Sequence, residues 1–315
     1  MRLIAILIGS LCFGALPPPP AFTLPDDIVP KKNIVDLTID PSKATFEGQV
    51  QIEIELKKST QTIWLEAKDL TPSEASVGGK KAHAEVAGEE FIGLELESPM
   101  GPGRTTISIR YQGKLDDKSV VGPYRKKVGD DWYVFTTFTP IDARRAFPCF
   151  DEPRFKTPWG MTIHVPDSDK AFANGRELRE NAEADGMKAI HFSTTEPLPA
   201  EVVAFAVGPF DVFDGAKAGR GTPIRVITPK GLGSEGKAAA QATVDVLPRL
   251  EAYTGVPYPF GKLDHVALPE GAFGAVENPG LITYRQKGLL AGPGEDTPDK
   301  IRAIRSVESH EIAHQ

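Results

Sequence analysis

In the segment TFEGQVQIEIEL, Phe46, Val50, Ile52, Ile54 and Leu56 alternate with Glu47, Gln49, Gln51, Glu53 and Glu55. A strand turns successive side chains to opposite faces, so this period of two specifies one buried face and one wet face. Similar short runs recur: TIWLEA, FIGLELE, TTISIRY, WYVFTTF, GMTIHVP, AIHFST and VVAFAVG. Turn residues separate them, and no long helical pattern intervenes before Asp214. Many short strands without helices predict antiparallel sheets packed as a sandwich.

The pattern changes at the Gly-rich stretch FDGAKAGRGT, which places a domain boundary at Gly215. EGKAAAQATVDVLPRLEAYTG then reads as a helix with Val244, Leu247 and Leu250 near one face. Pro248 is expected to kink or interrupt it, and Gly255 to end it. KLDHVALP and GLITYR return to strand character. TPDKIRAIRSVESHEIAHQ predicts a last helix, with Thr297 as N-cap, Pro298 at its first position and Ile301, Ile304 and Ile312 facing the core. A chain of 315 residues has room for two cores of this kind.

The N-terminus places Arg2 before an apolar run from Leu3 to Leu16. That run is shorter than the ~20 residues of a membrane-spanning helix, so it reads as a signal peptide. Cleavage after Ala21 or Ala15 is expected, with an uncleaved anchor as the alternative. Leu11 before Cys12 disfavours a lipoprotein. Removal of the leader leaves Cys149 without an intramolecular partner, and its neighbours Phe147 and Phe150 suggest a buried, inert thiol. The net charge is −7 and no Lys/Arg block stands out, so nucleic acid is not an expected partner. No stable membrane insertion of the mature chain is expected either.

The chemistry is concentrated in the last helix. His310 and His314 are four apart and therefore share a face. Two imidazoles in that arrangement can hold one zinc ion, Zn2+, and Glu311 is placed to take a proton from water that the metal activates. Glu308 lies two residues from His310 and belongs to a different helix face. His83, His164, His191 and His265 show no ligand spacing and read as packing or surface residues. DARR at Asp142–Arg145 reads either as a cleft element or as a corner of the β domain, and DEP at Asp151–Pro153 as a turn.

A second motif, GAFGAVENPGLITYR, places Glu277 and Asn278 33 and 32 residues before His310. With this pairing the chain resembles the zinc aminopeptidases of the membrane alanyl aminopeptidase type. FTPIDARRAFPCFDEPRFK, VGPYRK, PAEVVAFAVGPFD and YTGVPYPFGKLDHVALPEGAFG stand in that family's order, and the likeness runs from about Asn33 to Gln315. The resemblance implies an all-β N-terminal sandwich domain, residues 22–214 after a leader at 1–21. It implies that residues 215–315 form the first, incomplete part of an α+β thermolysin-like catalytic domain.

It further implies His310 and His314 as zinc ligands and Glu311 as general base. Glu277 would bind the free α-amine of a peptide substrate. Gly274, Ala275, Val276 and Asn278 complete the substrate-binding segment, with Val276 in place of the family's Met and Pro279 where Trp is common. Thr137 stands where the family has a longer Gln or Glu lining the first subsite.

The family's third ligand, a Glu about eighteen residues past the second His, and a later Tyr would lie beyond Gln315. The expectation is therefore a chain that stops inside its active site, binds zinc weakly and has little activity alone. The alternatives are an inactive peptide-binding or scaffold relative and an epoxide-hydrolase-type relative.

Overall fold

The computed structural model describes residues 16–315. The expected leader at 1–21 lies mostly outside that range. In chain order the strands are β1 (Ile28–Thr38), β2 (Thr45–Leu56), β3 (Thr60–Glu66), β4 (Thr71–Val77), β5 (Lys80–Ala87), β6 (Phe91–Met100), β7 (Gly103–Lys114), β8 (Gly122–Val128), β9 (Asp131–Thr137), β10 (Trp159–Pro166), β11 (Lys170–Ala173), β12 (Glu177–Ala182), β13 (Met187–Phe192), β14 (Phe205–Gly208), β15 (Asp211–Asp214), β16 (Ile224–Thr228), β17 (Leu263–Leu268), β18 (Ala275–Val276) and β19 (Leu281–Arg285). The helices are α1 (Lys237–Thr254), α2 (Gln286–Leu289) and α3 (Pro298–Ala313). No helix among the described residues is long and apolar enough to cross a membrane.

Three sheets form. The first has ten strands in the order β12-β13-β10-β1-β2-β7-β4-β5-β6-β3, and the second has four in the order β11-β14-β9-β8. In β2 the apolar residues are buried and Glu47, Gln51 and Glu53 are exposed, as the alternation predicts. The two sheets share one apolar core, in which Val35, Ile52 and Ile109 of the first sheet meet Val134, Phe205 and Val207 of the second. This is the expected β sandwich, except that β1 and β10 pair parallel rather than antiparallel.

The four-stranded sheet is covered on its other face too. Tyr133, Phe135, Phe172, Ala204 and Ala206 pack there against Ile227, Val266, Leu268 and Leu281 of the third sheet. That third sheet has the order β15-β16-β17-β19-β18, with β16, β17 and β19 parallel. WYVFTTF and VVAFAVG are apolar nearly throughout because each of their faces has a core to fill.

The third sheet begins before the expected boundary at Gly215. β15 pairs antiparallel with β16, so Asp211–Asp214 belong to the second half of the chain. The Gly-rich stretch is the loop of that hairpin, closed by Gly215 N donating to Ile224 O at 2.9 Å.

α1 runs unbroken through Pro248. The proline is exposed, so water can satisfy the carbonyl that its ring leaves without a donor. Gly255 ends the helix in the left-handed region at φ 72°, as expected. The buried stripe differs from the expected one. Ala239, Ala240, Ala242, Thr243, Val246 and Leu247 are buried, whereas Val244 and Leu250 are only partly so. Small alanines allow α1 to approach the sheet closely, and the larger residues sit at its margin.

In α3 the Thr297 side chain accepts from Lys300 N at 3.3 Å, with Pro298 in the first turn. Ile304 and Ile312 are buried and Ile301 is half-buried.

Candidate active site

The last turns of α3 present His310 and His314 to solvent on one face. Their Nε2 atoms are 3.2 Å apart and the rings meet edge to face at 81°. Two zinc–nitrogen bonds of about 2.1 Å at a tetrahedral angle would set their donors roughly 3.4 Å apart. The imidazole pair therefore fits a shared cation. Among the described residues no cluster of three or more His, Cys, Asp or Glu could hold a metal, so these two nitrogens are the whole donor set in that range.

Glu311 lies between them in sequence but is turned inward and buried. Its carboxyl is held above the usual carboxylate range, first by burial and then by the charge of Glu277. The imidazoles of His310 and His314 pull the other way. The influence of Glu277 places the second motif beside the first. A carboxylate raised in this way is better able to accept and return a proton near neutral pH.

β18 carries the second motif. It pairs with β19 through Ala275↔Tyr284 and Val276↔Thr283 and is the outermost strand of its sheet. Gly274 is exposed and a Cβ there would meet nothing within 4 Å, while its carbonyl accepts from Arg285 N at 2.9 Å. Val276 and Asn278 face inward. The Asn278 side chain is buried and its nearest polar partner is Thr283 Oγ1 at 3.5 Å, so its contacts lie within its own hairpin. Glu277 is half-buried at the head of the turn that follows.

That turn is tied to α3 by a residue the sequence reading did not single out. Gln315 Nε2 donates to Glu277 O at 2.7 Å, and Gln315 Oε1 accepts from Gly280 N at 3.2 Å. From below, the buried Lys262 donates to Gly280 O at 2.6 Å and to Asp264 at 2.7 Å. Arg225 grips the other side of Asp264 in a bidentate pair at 2.8 and 2.7 Å. Two cations hold the Asp264 carboxyl below its usual range despite complete burial. Only its position next to a strand of the third sheet could have marked Lys262 in the sequence.

Glu308 points away from the imidazoles, as its spacing predicts. It is fully buried, and its Oε2 accepts from Thr243 Oγ1 at 3.0 Å. Thr243 also lies 2.9 Å from His265 Nε2, and His265 Nδ1 lies 3.2 Å from Tyr284 OH. Burial lowers the His265 pKa to about 4, so the ring is neutral and structural.

Thr137, the last residue of β9, is buried, and its short side chain extends no functional group into the open. Arg144 of DARR and Asp151 of DEP meet in a buried corner of the β domain. Arg144 Nε donates to Asp151 at 2.9 Å and its Nη1 to Glu90 at 3.0 Å, with Glu66 at 3.8 Å. Cys149 is buried beside this cluster, and burial raises its thiol well above the ordinary value. An inert thiol is what its flanking phenylalanines imply.

Comparison with known proteins finds two family matches along the chain. Residues 29–201 match the Peptidase M1 N-terminal domain, and residues 238–315 match the Peptidase family M1 domain. The chain is 34% identical to aminopeptidase 2, mitochondrial, of Saccharomyces cerevisiae over 93% of its length, which is 32% of that relative. It is 33% identical to aminopeptidase M1-A of Oryza sativa subsp. japonica, again over 93% of its length and covering 34% of the relative. With aminopeptidase N of Acetobacter pasteurianus the identity is 30% over 93% of this chain and 84% of the relative. The chain thus spans about a third of the length of the first two relatives. The two matched domains and the relatives agree: this chain belongs to peptidase family M1.

Proposed function

We propose that the chain carries the metal-binding and amine-recognising part of a zinc aminopeptidase, which removes N-terminal residues from peptides. The observation that carries the reading is the convergence on α3. Two imidazoles with cation-ready spacing stand beside Glu311, and the charge of Glu277 reaches that carboxyl.

His310 and His314 are the residues that would hold the zinc. Bound there, zinc would supply Lewis-acid polarisation of a peptide carbonyl and acidify water. Glu311 accepts the proton from that water and returns it to the leaving amine. Glu277 pairs with the substrate ammonium, a partner that an internal peptide bond lacks, which selects for a free N-terminus. The outer side of β18, the edge of its sheet beside Gly274 and Ala275, offers backbone groups to an extended peptide.

Two titrations test this reading. Zinc binding should weaken at least tenfold in His310→Ala and in His314→Ala. Leucinamide should bind at least tenfold more tightly than N-acetyl-leucinamide, and Glu277→Gln should erase the difference. Equal binding of the two compounds by the unaltered chain would sink the reading.

We also infer export from the cell, to the periplasm or the exterior. Arg2 and the apolar run Leu3–Leu16 support this. Mass spectrometry of the N-terminus of the protein from its own cells should find Leu16 or Phe22 first. Finding Met1 instead would refute export by cleavage.

A further inference from the structure

We infer that Asn174 of the β domain is a positioning residue for the Glu277 loop, setting the amine-binding carboxylate from across the domain boundary. Asn174 directly follows β11 in the four-stranded sheet and is almost fully buried. Its amide makes three bonds. Oδ1 accepts from Ala204 N at 2.7 Å, and Nδ2 donates to Val202 O at 3.0 Å and to Pro279 O at 2.9 Å. The first two stay within the β domain. The third reaches 105 residues along the chain to the turn that follows Glu277.

The backbone of Asn174 is engaged as well. Gly280 sits at φ 72°, and a Cβ on it would lie 2.7 Å from Asn174 O. A non-glycine residue would therefore be strained there twice, by its own conformation and by collision with a backbone atom. The Glu277–Gly280 turn is thus held on three sides. Lys262 takes the Gly280 carbonyl, Gln315 takes the Glu277 carbonyl and the Gly280 amide, and Asn174 takes the Pro279 carbonyl. Asn174 is the contact among these that comes from the β domain.

The segment on the far side of the Asn174 amide points the same way. Val202 ends a short turn, Ala200–Val202, whose Glu201 carboxyl is raised by burial and by the charges of Asp151 and Glu277. One amide therefore pins two carbonyls, one in the turn bearing Glu201 and one in the turn bearing Glu277. The hydrogen bonds are buried, where an unmade bond is costly and the geometry is correspondingly stiff.

The consequence for substrate rests on the reading of Glu277 as the amine partner; the positioning of the loop does not. Asn174→Asp separates the two roles of the side chain. It keeps an acceptor for Ala204 N and nearly the same volume, but it cannot donate to Pro279 O. Hydrogen exchange on the full chain should show the Gly280 and Leu281 amides exchanging about tenfold faster in both Asn174→Asp and Asn174→Ala. The Ala204 amide should remain protected in Asn174→Asp and lose protection in Asn174→Ala. Unchanged exchange at Gly280 and Leu281 in both variants would overturn the inference. So would a disturbance in Asn174→Ala that Asn174→Asp does not share, because the residue would then only anchor β14.

A leucinamide titration of the same variants separates this inference from the one beneath it. The expected result is a tenfold loss of affinity in Asn174→Asp with zinc affinity unchanged. If the unaltered chain and Glu277→Gln bind leucinamide alike, the role of Glu277 falls while the exchange data still decide that of Asn174. If neither Asn174 variant folds, Gly280→Ala presses on the Asn174 backbone carbonyl from the loop side of the same junction. Faster exchange of the Leu281 amide in that variant supports the inference, and unaltered exchange overturns it.

Discussion

The Gln315 side chain bridges the end of α3 to the turn that carries Glu277, donating to Glu277 O at 2.7 Å. The residue after His314 thus links the imidazole pair to the turn bearing Glu277, the proposed amine partner, through one amide. Gln315→Ala should lower leucinamide affinity several-fold, about the worth of one or two buried hydrogen bonds, and leave zinc affinity unchanged. Calorimetric titration of both would check it, and parallel losses would mean that the amide merely holds α3 together.

Glu311→Gln separates metal binding from proton transfer. Gln keeps the size of the side chain but cannot accept a proton from water. In the full-length gene product, hydrolysis of leucine p-nitroanilide should fall by roughly a hundredfold or more, with zinc affinity within a factor of three. A large loss of zinc affinity in this variant would show that Glu311 serves the metal site instead.

Glu66 makes the β domain sensitive to pH. It is fully buried, and its carboxyl pKa is raised from 4.5 to about 7, chiefly by burial, although Arg144 stands 3.8 Å away. In the fold the neutral form is favoured, whereas in the unfolded chain the proton leaves near the ordinary value. The contribution of Glu66 is therefore best below about pH 4.5 and is lost as pH rises toward 7, by about 3 kcal/mol. Glu66→Gln should flatten that dependence. Urea unfolding at pH 5 and pH 8 should give the variant its larger advantage at pH 8, and an equal difference at both would count against the assignment.

His265 acts in the opposite direction. Burial lowers its pKa from 6.5 to about 4, so folding keeps the ring neutral. Its contribution is complete above about pH 6.5 and is lost as pH falls toward 4, again by about 3 kcal/mol. His265→Gln loses the packing against Tyr284 and should be less stable at pH 8, yet vary less in stability between pH 6.5 and 4. Stability curves running parallel over that interval would contradict a neutral buried imidazole.

Much of the fold was legible because each element is built from local rules. The alternation in β2, the Thr297–Pro298 start of α3 and the Gly255 stop of α1 each follow from neighbouring residues and reappear in the structure. The divergences share a cause. Pro248 does not break α1 because the interrupted face is exposed, and Asp211–Asp214 join the second half because β16 offers them a partner. Arg144 is buried because Glu66, Glu90 and Asp151 converge on it from other segments of the chain. Sequence position carries no trace of such neighbours.

The same division holds at the site. The sequence by itself determined that His310 and His314 share one helix face and that Glu308 faces elsewhere, because helical periodicity fixes directions within one element. It also singled out Glu277 as a candidate, through the motif around it. Only the tertiary structure brought Glu277 within electrostatic reach of Glu311. Only it set Asn174, Lys262 and Gln315 around the turn that holds Glu277. Residues distant in the chain meet where apolar faces pack, and here the doubly covered four-stranded sheet decides that packing by joining the β sandwich to the sheet beneath α3.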